Sequence, residues 1–223
     1  MERHFDEELN ELKARLLLMG GRAEAIVHKA IDALKARDEA LAEEIFADDR
    51  AIDALEIEID ERVIRLLALR QPVGGDLRFV VSALKIGGDL ERVGDHAVNI
   101  AQSTQRLGRE PELKPLVDLP FMAVLSTRML TEALDAFVRN DAAAARRILT
   151  EDDEVDQMKG RLTEELLATM IDRPSAIARA LELILVSRNL ERVADLATNI
   201  AEEVVFIAEA RVVKHHMEER HAP

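Results

Sequence analysis

Apolar residues recur along most of this chain at steps of three and four, the spacing that lines one face of an α-helix. Leu9, Leu12, Leu16, Met19, Ala23, Ile26, Ala30 and Ala33 form one such stripe, predicting a first helix from Glu2 to about Lys35. Gly20-Gly21 interrupts its side-chain bulk without breaking its period, which reads as a close helix crossing or slight bend. Asp38 is placed to cap a second helix carrying Leu41, Ile45, Ile52, Leu55, Ile59, Val63 and Leu66 as far as Arg70, and Gln71-Pro72-Val73-Gly74-Gly75 ends it. A third helix is predicted from about Asp76 to Leu107. The proline-bearing segment 108–120 reads as a linker. Beyond it the plan returns: a fourth helix from about Phe121 to Arg139, a fifth from Asp141 to Ile171 opened by Asn140, and a sixth from about Ser175 to His216 after Asp172-Arg173-Pro174. Short loops make consecutive helices neighbours. The expected fold is therefore all-α, two tandem antiparallel three-helix bundles over 1–107 and 121–223, with 217–223 a frayed tail.

The second half also repeats the first in sequence. Leu90-Glu91-Arg92-Val93-Gly94-Asp95-His96-Ala97-Val98-Asn99-Ile100-Ala101 and Leu190-Glu191-Arg192-Val193-Ala194-Asp195-Leu196-Ala197-Thr198-Asn199-Ile200-Ala201 agree at nine of twelve positions. Glu91, Asp95 and Asn99, and again Glu191, Asp195 and Asn199, follow at four-residue steps, so each trio forms an oxygen-bearing stripe drifting only about 40° per step.

Each stripe is expected to face a second one across its hairpin. Asp53 stands 19 residues before Pro72 and Glu91 19 after; Asp49 stands 23 before and Asp95 23 after. Around Pro174 the matching is nearly as good, Asp156 and Asp152 at 18 and 22 before against Glu191 and Asp195 at 17 and 21 after. Four carboxylates brought together must protonate, pair with basic residues or bind cations. Hard oxygen donors suit magnesium, calcium, manganese or iron, and bridging carboxylates can hold more than one ion. The competing reading is solvated helix faces, with Arg50, Arg92 and Arg192 in ordinary ion pairs. Duplication and matched heights favour metal, one centre in each half, with Asp49, Asp53, Glu91, Asp95, Asn99, Asp152, Asp156, Glu191, Asp195 and Asn199 as candidate ligands. Di-iron bundles usually add Glu-x-x-His on two helices, and Glu218 with His221 is the one such pair here. His96 faces Leu196 in the repeat and is read as a surface residue; His28, His215 and His216 are read as surface or core histidines, and Met19, Met122, Met129, Met158 and Met170 as packing residues.

Composition narrows the function. Of 223 residues 44 are acidic and 30 basic, a net charge of −14, and tryptophan and tyrosine are absent, which argues against nucleic acid as a partner. Lack of cysteine excludes thiolate ligands and disulfides. No apolar run approaches the length of a membrane span and the start is too acidic for a signal peptide, so a soluble cytoplasmic protein without membrane insertion is expected. No nucleophile with an oriented base and no glycine-rich nucleotide loop is visible, so an enzyme would have to be a metal-dependent hydrolase activating water.

The paired motifs, with Pro72-Val73-Gly74-Gly75-Asp76-Leu77-Arg78 before the first and Val204-Val205-Phe206 through Val213-Lys214-His215 after the second, resemble those of the PhoU family over almost the whole chain. Leu196 and Ala194 depart from the family's usual histidine and glycine. The resemblance implies a cytoplasmic, homodimeric, non-enzymatic regulator that represses the phosphate-starvation response through the ATPase subunit of a phosphate transporter and a sensor histidine kinase. It further implies multinuclear iron or zinc clusters at Glu91, Asp95, Asn99, Glu191, Asp195 and Asn199. Asp49, Asp53, Asp152 and Asp156 enter by the height argument alone.

Overall fold

The computed structural model describes residues 2–213 other than 109 and 115, with side chains from residue 5 onward. The readings that involved His215, His216, Glu218, His221 and the 217–223 tail lie outside the described residues. The fold is all-α: α1 (Glu2–Ala36), α2 (Glu39–Arg70), α3 (Gly74–Leu107), α4 (Asp118–Arg139), α5 (Ala142–Ile148), α6 (Asp152–Asp172), a single 3₁₀ turn (Pro174–Ala176) and α7 (Ile177–Glu209). No helix among the described residues is long and apolar enough to cross a membrane.

The apolar stripes become the core. Leu12, Leu16, Met19, Ala23 and Ile26 of α1, Ile45, Ile52, Ile59 and Val63 of α2, and Val80, Ile86, Leu90 and Val93 of α3 are all buried. Met19, Met122, Met129 and Met158 are buried and Met170 packs against the core, as the spacing predicts. Asp38 caps α2, its side chain accepting from the Ala40 and Leu41 amides. The α2–α3 turn uses left-handed backbone at Gln71 and again at Gly74 (φ +59°), where a Cβ would be strained. Gly20 lies where α1 passes close to α4: a Cβ there would stand 2.3 Å from Leu134 Cδ1, whereas Gly21 faces open space.

Four boundaries differ from those the sequence predicts. α4 begins at Asp118, inside the 108–120 segment read as a linker, with that acidic residue in its first turn. The fifth helix is two, because after Ile148 the Thr150 and Glu151 amides turn back to Arg147 and Ile148 carbonyls, and Thr150 Oγ1 also bonds the Arg147 carbonyl at 2.7 Å. That side-chain bond competes with the helix ladder, and Asp152, Asp153 and Glu154 then begin a new helix where the dipole favours acid. Asn140 does not open α5; it closes α4 in the left-handed conformation, and Asp141 caps α5 through the Ala144 amide. The last helix stops at Glu209, not at His216: Ala210 turns left-handed and Val213 folds into the core.

The halves meet along α3 and α7. Arg78 Nε donates to the Ile207 carbonyl, Lys85 Nζ pairs with Glu203, His96 Nδ1 lies 2.9 Å from Asn189 Oδ1, and Arg106 Nε pairs with Glu182 at 2.7 Å. Rising numbers on α3 meet falling numbers on α7, so the two helices are antiparallel and the turns at Pro72 and Pro174 point to opposite ends. Glu203 is buried at this seam, bound by Ser82 Oγ at 2.8 Å and Lys85 Nζ at 3.0 Å. Core residues of both halves form one continuous cluster through it.

Candidate metal centre

The register that buries Ile52 and Ile59 against α3 leaves Asp49, Asp53 and Glu56 along the flank of α2, while burial of Leu90 and Val93 leaves Glu91 and Asp95 along the flank of α3. These five carboxylates act on one another. Partial burial, then Asp53 and Asp95, push the Asp49 carboxyl up from 3.8 to about 6. Glu91 is raised by burial and then by Asp95, Glu56, Asp53 and Asp49; Glu56 is raised by burial, Asp60 and Asp53, with Arg92 opposing. Asp49 Oδ1 is buried without a hydrogen-bond partner. Gly94 makes room for it, since a Cβ there would lie 2.5 Å from that oxygen. Among the described residues none of the five is hydrogen-bonded to or ion-paired with a lysine or arginine. Arg92 turns instead to Asp89, at 3.1 Å.

The second hairpin gathers Asp152, Asp156, Glu191 and Asp195 in the same way. Burial, then Asp195, Asp156 and Glu191, raise Asp152 from 3.8 to about 6, and its Oδ1 is likewise buried without a partner. Asp195 is raised by burial and by Glu191, against the pull of Arg192. Two cations bond to these carboxylates, a lysine with no counterpart in the first half and the arginine that corresponds to Arg92. Lys159 Nζ donates to Glu191 Oε1 at 3.0 Å and to Asp156 Oδ1 at 3.2 Å, and Arg192 Nη1 donates to Asp195 Oδ2 at 2.6 Å.

The structure thus brings together eight of the ten candidate ligands, four in each hairpin. The asparagines stand differently. Asn99 is exposed and lines a groove of about 300 Å³ between α3 and α7 with His96, Ser103, Arg106, Arg188, Asn189 and Arg192, and Asn199 is partly buried on α7. His96, read as a surface residue, is half-buried and ties the halves together through Asn189. Two participants escaped the sequence reading, Glu56 and Lys159. They occupy the same place in the repeat, since the shift of 103 that takes Asp49 to Asp152 and Asp53 to Asp156 also takes Glu56 to Lys159.

Among the described residues no group of three or more His, Asp or Glu side chains is placed so that it could hold a metal ion. The first hairpin nonetheless fits a hard cation chemically: all its donors are oxygens, one is an orphaned buried oxygen, and Gly94 leaves space beside it. In the second, an ammonium already lies between two of the donors.

Fold and site together define a duplicated all-α protein whose distinctive chemistry is a pair of acidic helical hairpins joined along a common seam. A family model described as the PhoU domain matches residues 16–104 and again 119–204, and the chain belongs to the PhoU family. It is 39% identical over 215 residues to the phosphate-specific transport system accessory protein PhoU homolog of Aquifex aeolicus, covering 96% of this chain and 97% of that one. The Pseudomonas aeruginosa homolog of the same description is 38% identical, covering 96% and 89%. Among solved structures, PhoU from Pseudomonas aeruginosa superposes with a TM-score of 0.89 at 38% identity over 93% of this chain and 100% of that one. The phosphate transport system regulatory protein PhoU from Streptococcus pneumoniae does so with 0.88 at 34% over 94% and 99%.

Proposed function

We propose that this chain is an accessory regulator of phosphate transport that represses the phosphate-starvation response, acting as a homodimer between the transporter's ATPase subunit and a sensor histidine kinase. The observation that supports this reading is full-length similarity: relatives described as phosphate-specific transport accessory proteins align over nearly the whole of both chains. A regulator of this kind needs helical surfaces and no turnover. The hydrolase alternative gains nothing from the cavity of about 460 Å³ on the α1–α2 face, which is lined by Glu8, Glu11, Glu58, Glu61, Arg62, Arg65 and Leu66 and by none of the five carboxylates. Deleting the gene is expected to make phosphate-responsive genes constitutive in phosphate-rich medium. Normal repression in the deletion strain, or specific retardation of promoter DNA by the purified protein, defeats the proposal.

A metal ion or cluster, iron, zinc or manganese among the candidates, belongs to the same reading. Asp49, Asp53, Glu56, Glu91 and Asp95 would hold it, and its chemistry there would be charge compensation joining α2 to α3. Support comes from the unpaired state of these carboxylates and the orphaned Asp49 oxygen. Elemental analysis of protein purified without chelator tests it; a metal-free product whose melting point ignores added metal refutes it.

A further inference from the structure

We propose that Lys159 is a built-in counter-ion that does in the second hairpin what a bound metal ion does in the first, so that only the first hairpin takes up metal. The inference rests on the metal-binding reading and departs from the expectation of one centre per half.

Two positions at which the repeats differ carry it. At the first, Glu56 in one hairpin becomes Lys159 in the other. One substitution removes a negative charge and adds a positive one at the middle of the acidic set, and the lysine uses it, spanning Glu191 Oε1 and Asp156 Oδ1. At the second, Asp89 becomes Asn189. Arg92 is turned back on Asp89, one helical turn before it, and makes no hydrogen bond to the carboxylate cluster. Arg192 has a neutral asparagine at that distance and turns forward to Asp195 instead, with Glu191 Oε2 3.7 Å from its Nε. Asn189, relieved of an arginine, is bonded to His96 and to the Leu185 carbonyl.

The balance of formal charge follows. Five carboxylates without a hydrogen-bonded cation stand in the first set, against four carboxylates holding one lysine and one arginine in the second. A metal ion entering through Glu191 Oε1 or Asp156 would force Lys159 to leave two partners for none, in a half-buried position where an unpaired ammonium is costly. One using the two oxygens without a hydrogen-bond partner, Asp152 Oδ1 and Glu191 Oε2, would stand beside the Lys159 ammonium, whose like charge opposes it. The first set has no such occupant to expel.

The experiment uses the full chain with Mn²⁺ as probe, comparing wild type, Glu56→Lys, Glu56→Gln, Lys159→Glu and Lys159→Met by hydrogen exchange and thermal melting, each in chelator and in Mn²⁺. In wild type, Mn²⁺ is expected to slow exchange at 49–56 and 91–95 and to leave 152–159 and 191–195 unchanged. Lys159→Glu makes the second set respond. In chelator, Glu56→Lys raises the melting temperature by about 3 °C, more than Glu56→Gln does, and removes the Mn²⁺ response of the first set; Lys159→Met lowers it. Equal Mn²⁺ protection of both sets in wild type overturns the proposal, as does a Glu56→Lys protein no more stable in chelator than Glu56→Gln. If wild type ignores Mn²⁺ in both sets, the metal reading itself has failed. The chelator comparison then decides the counter-ion alone, upheld by opposite shifts of Glu56→Lys and Lys159→Met and overturned by their absence.

Discussion

Replacing Asp49 with Asn tests whether the first acidic set is held together against its own repulsion. The two side chains are nearly isosteric, so the fit beside Gly94 is preserved while the charge is lost. In the folded protein burial and the neighbouring Asp53 and Asp95 raise the Asp49 carboxyl from 3.8 to about 6. A shift of about two pH units corresponds to roughly 3 kcal/mol at 1.36 kcal/mol per unit. The group is only partly withdrawn from water, and solvent screening reduces this to about 1 kcal/mol.

The sign follows from where the proton is held. Because the folded pKa lies above the unfolded one, the folded state keeps a proton near pH 5 that the unfolded chain has released. The stabilisation this provides is fully present below about pH 4 and is lost as pH rises through about 6. Metal-free wild type should therefore lose it between pH 4 and 7.5, and Asp49→Asn, having nothing to titrate, should not. Denaturant unfolding in chelator, followed by helical circular dichroism, is expected to give equal stabilities near pH 4 and an advantage of about 1 kcal/mol to the variant at pH 7.5, some 2–4 °C in melting temperature. On the proposed metal reading, Mn²⁺ is expected to reverse the order: wild type should gain about 2.7 kcal/mol at a hundredfold excess over its dissociation constant, and the variant little. A wild type–variant difference that is independent of pH would refute the reasoning, since it would trace the effect of Asp49 to something other than its charge.

Gly20→Ala should destabilise by about 1 kcal/mol, the overpacking against Leu134 outweighing the gain in helix propensity, while Gly21→Ala, facing open space, should stabilise by a similar amount; thermal melts of the pair check both. Gly94→Ala should leave metal-free stability within about 1 kcal/mol, because the atom it meets is the movable end of Asp49, and should weaken Mn²⁺ binding about tenfold or more as that oxygen is pushed aside; titration followed by electron paramagnetic resonance measures it, and unchanged affinity sinks the role assigned to Gly94.

Hairpin pairing was legible because it is set by counting: in a tight antiparallel turn, residues equally far from Pro72 lie at similar heights, and Asp49, Asp53, Glu91 and Asp95 are electrostatic neighbours in the structure. The break after Ile148 was not, because it depends on one local contest between the Thr150 hydroxyl and the ladder, inside an apolar period that continues unchanged. At Asn140-Asp141 both residues are competent caps, and the sequence gives no means of assigning one to the end of α4 and the other to the start of α5. Ala210 carries no stop signal; α7 ends there as the chain turns Val213 into the core. The seam was invisible for a different reason, since Ser82, Lys85 and Glu203 are brought together from more than a hundred residues apart by tertiary packing alone. Lys159 lay within reach of the repeat comparison but outside the twelve positions that display it most strongly.

The divergence of the two hairpins acquires meaning from where they are anchored. α3 carries Glu91 and Asp95 toward α2 and His96 toward α7, one residue apart, and α7 carries Glu191 and Asp195 toward α6 and Asn189 toward α3. The helices that supply the carboxylates are thus the same ones that form the seam. In the second hairpin Lys159 ties α6 to α7 by bridging Asp156 and Glu191, and on the proposal above that tie holds whatever the metal supply. Ion capture in the first hairpin would then act on α3 alone, pulling α2 toward a helix whose far face is held by Lys85–Glu203 and Arg106–Glu182 against α7. Two identical metal sites would respond together and leave their relative position unchanged; one responsive hairpin set against one permanent hairpin converts ion occupancy into a difference between the halves, which is the kind of difference a surface spanning both halves can report to a partner.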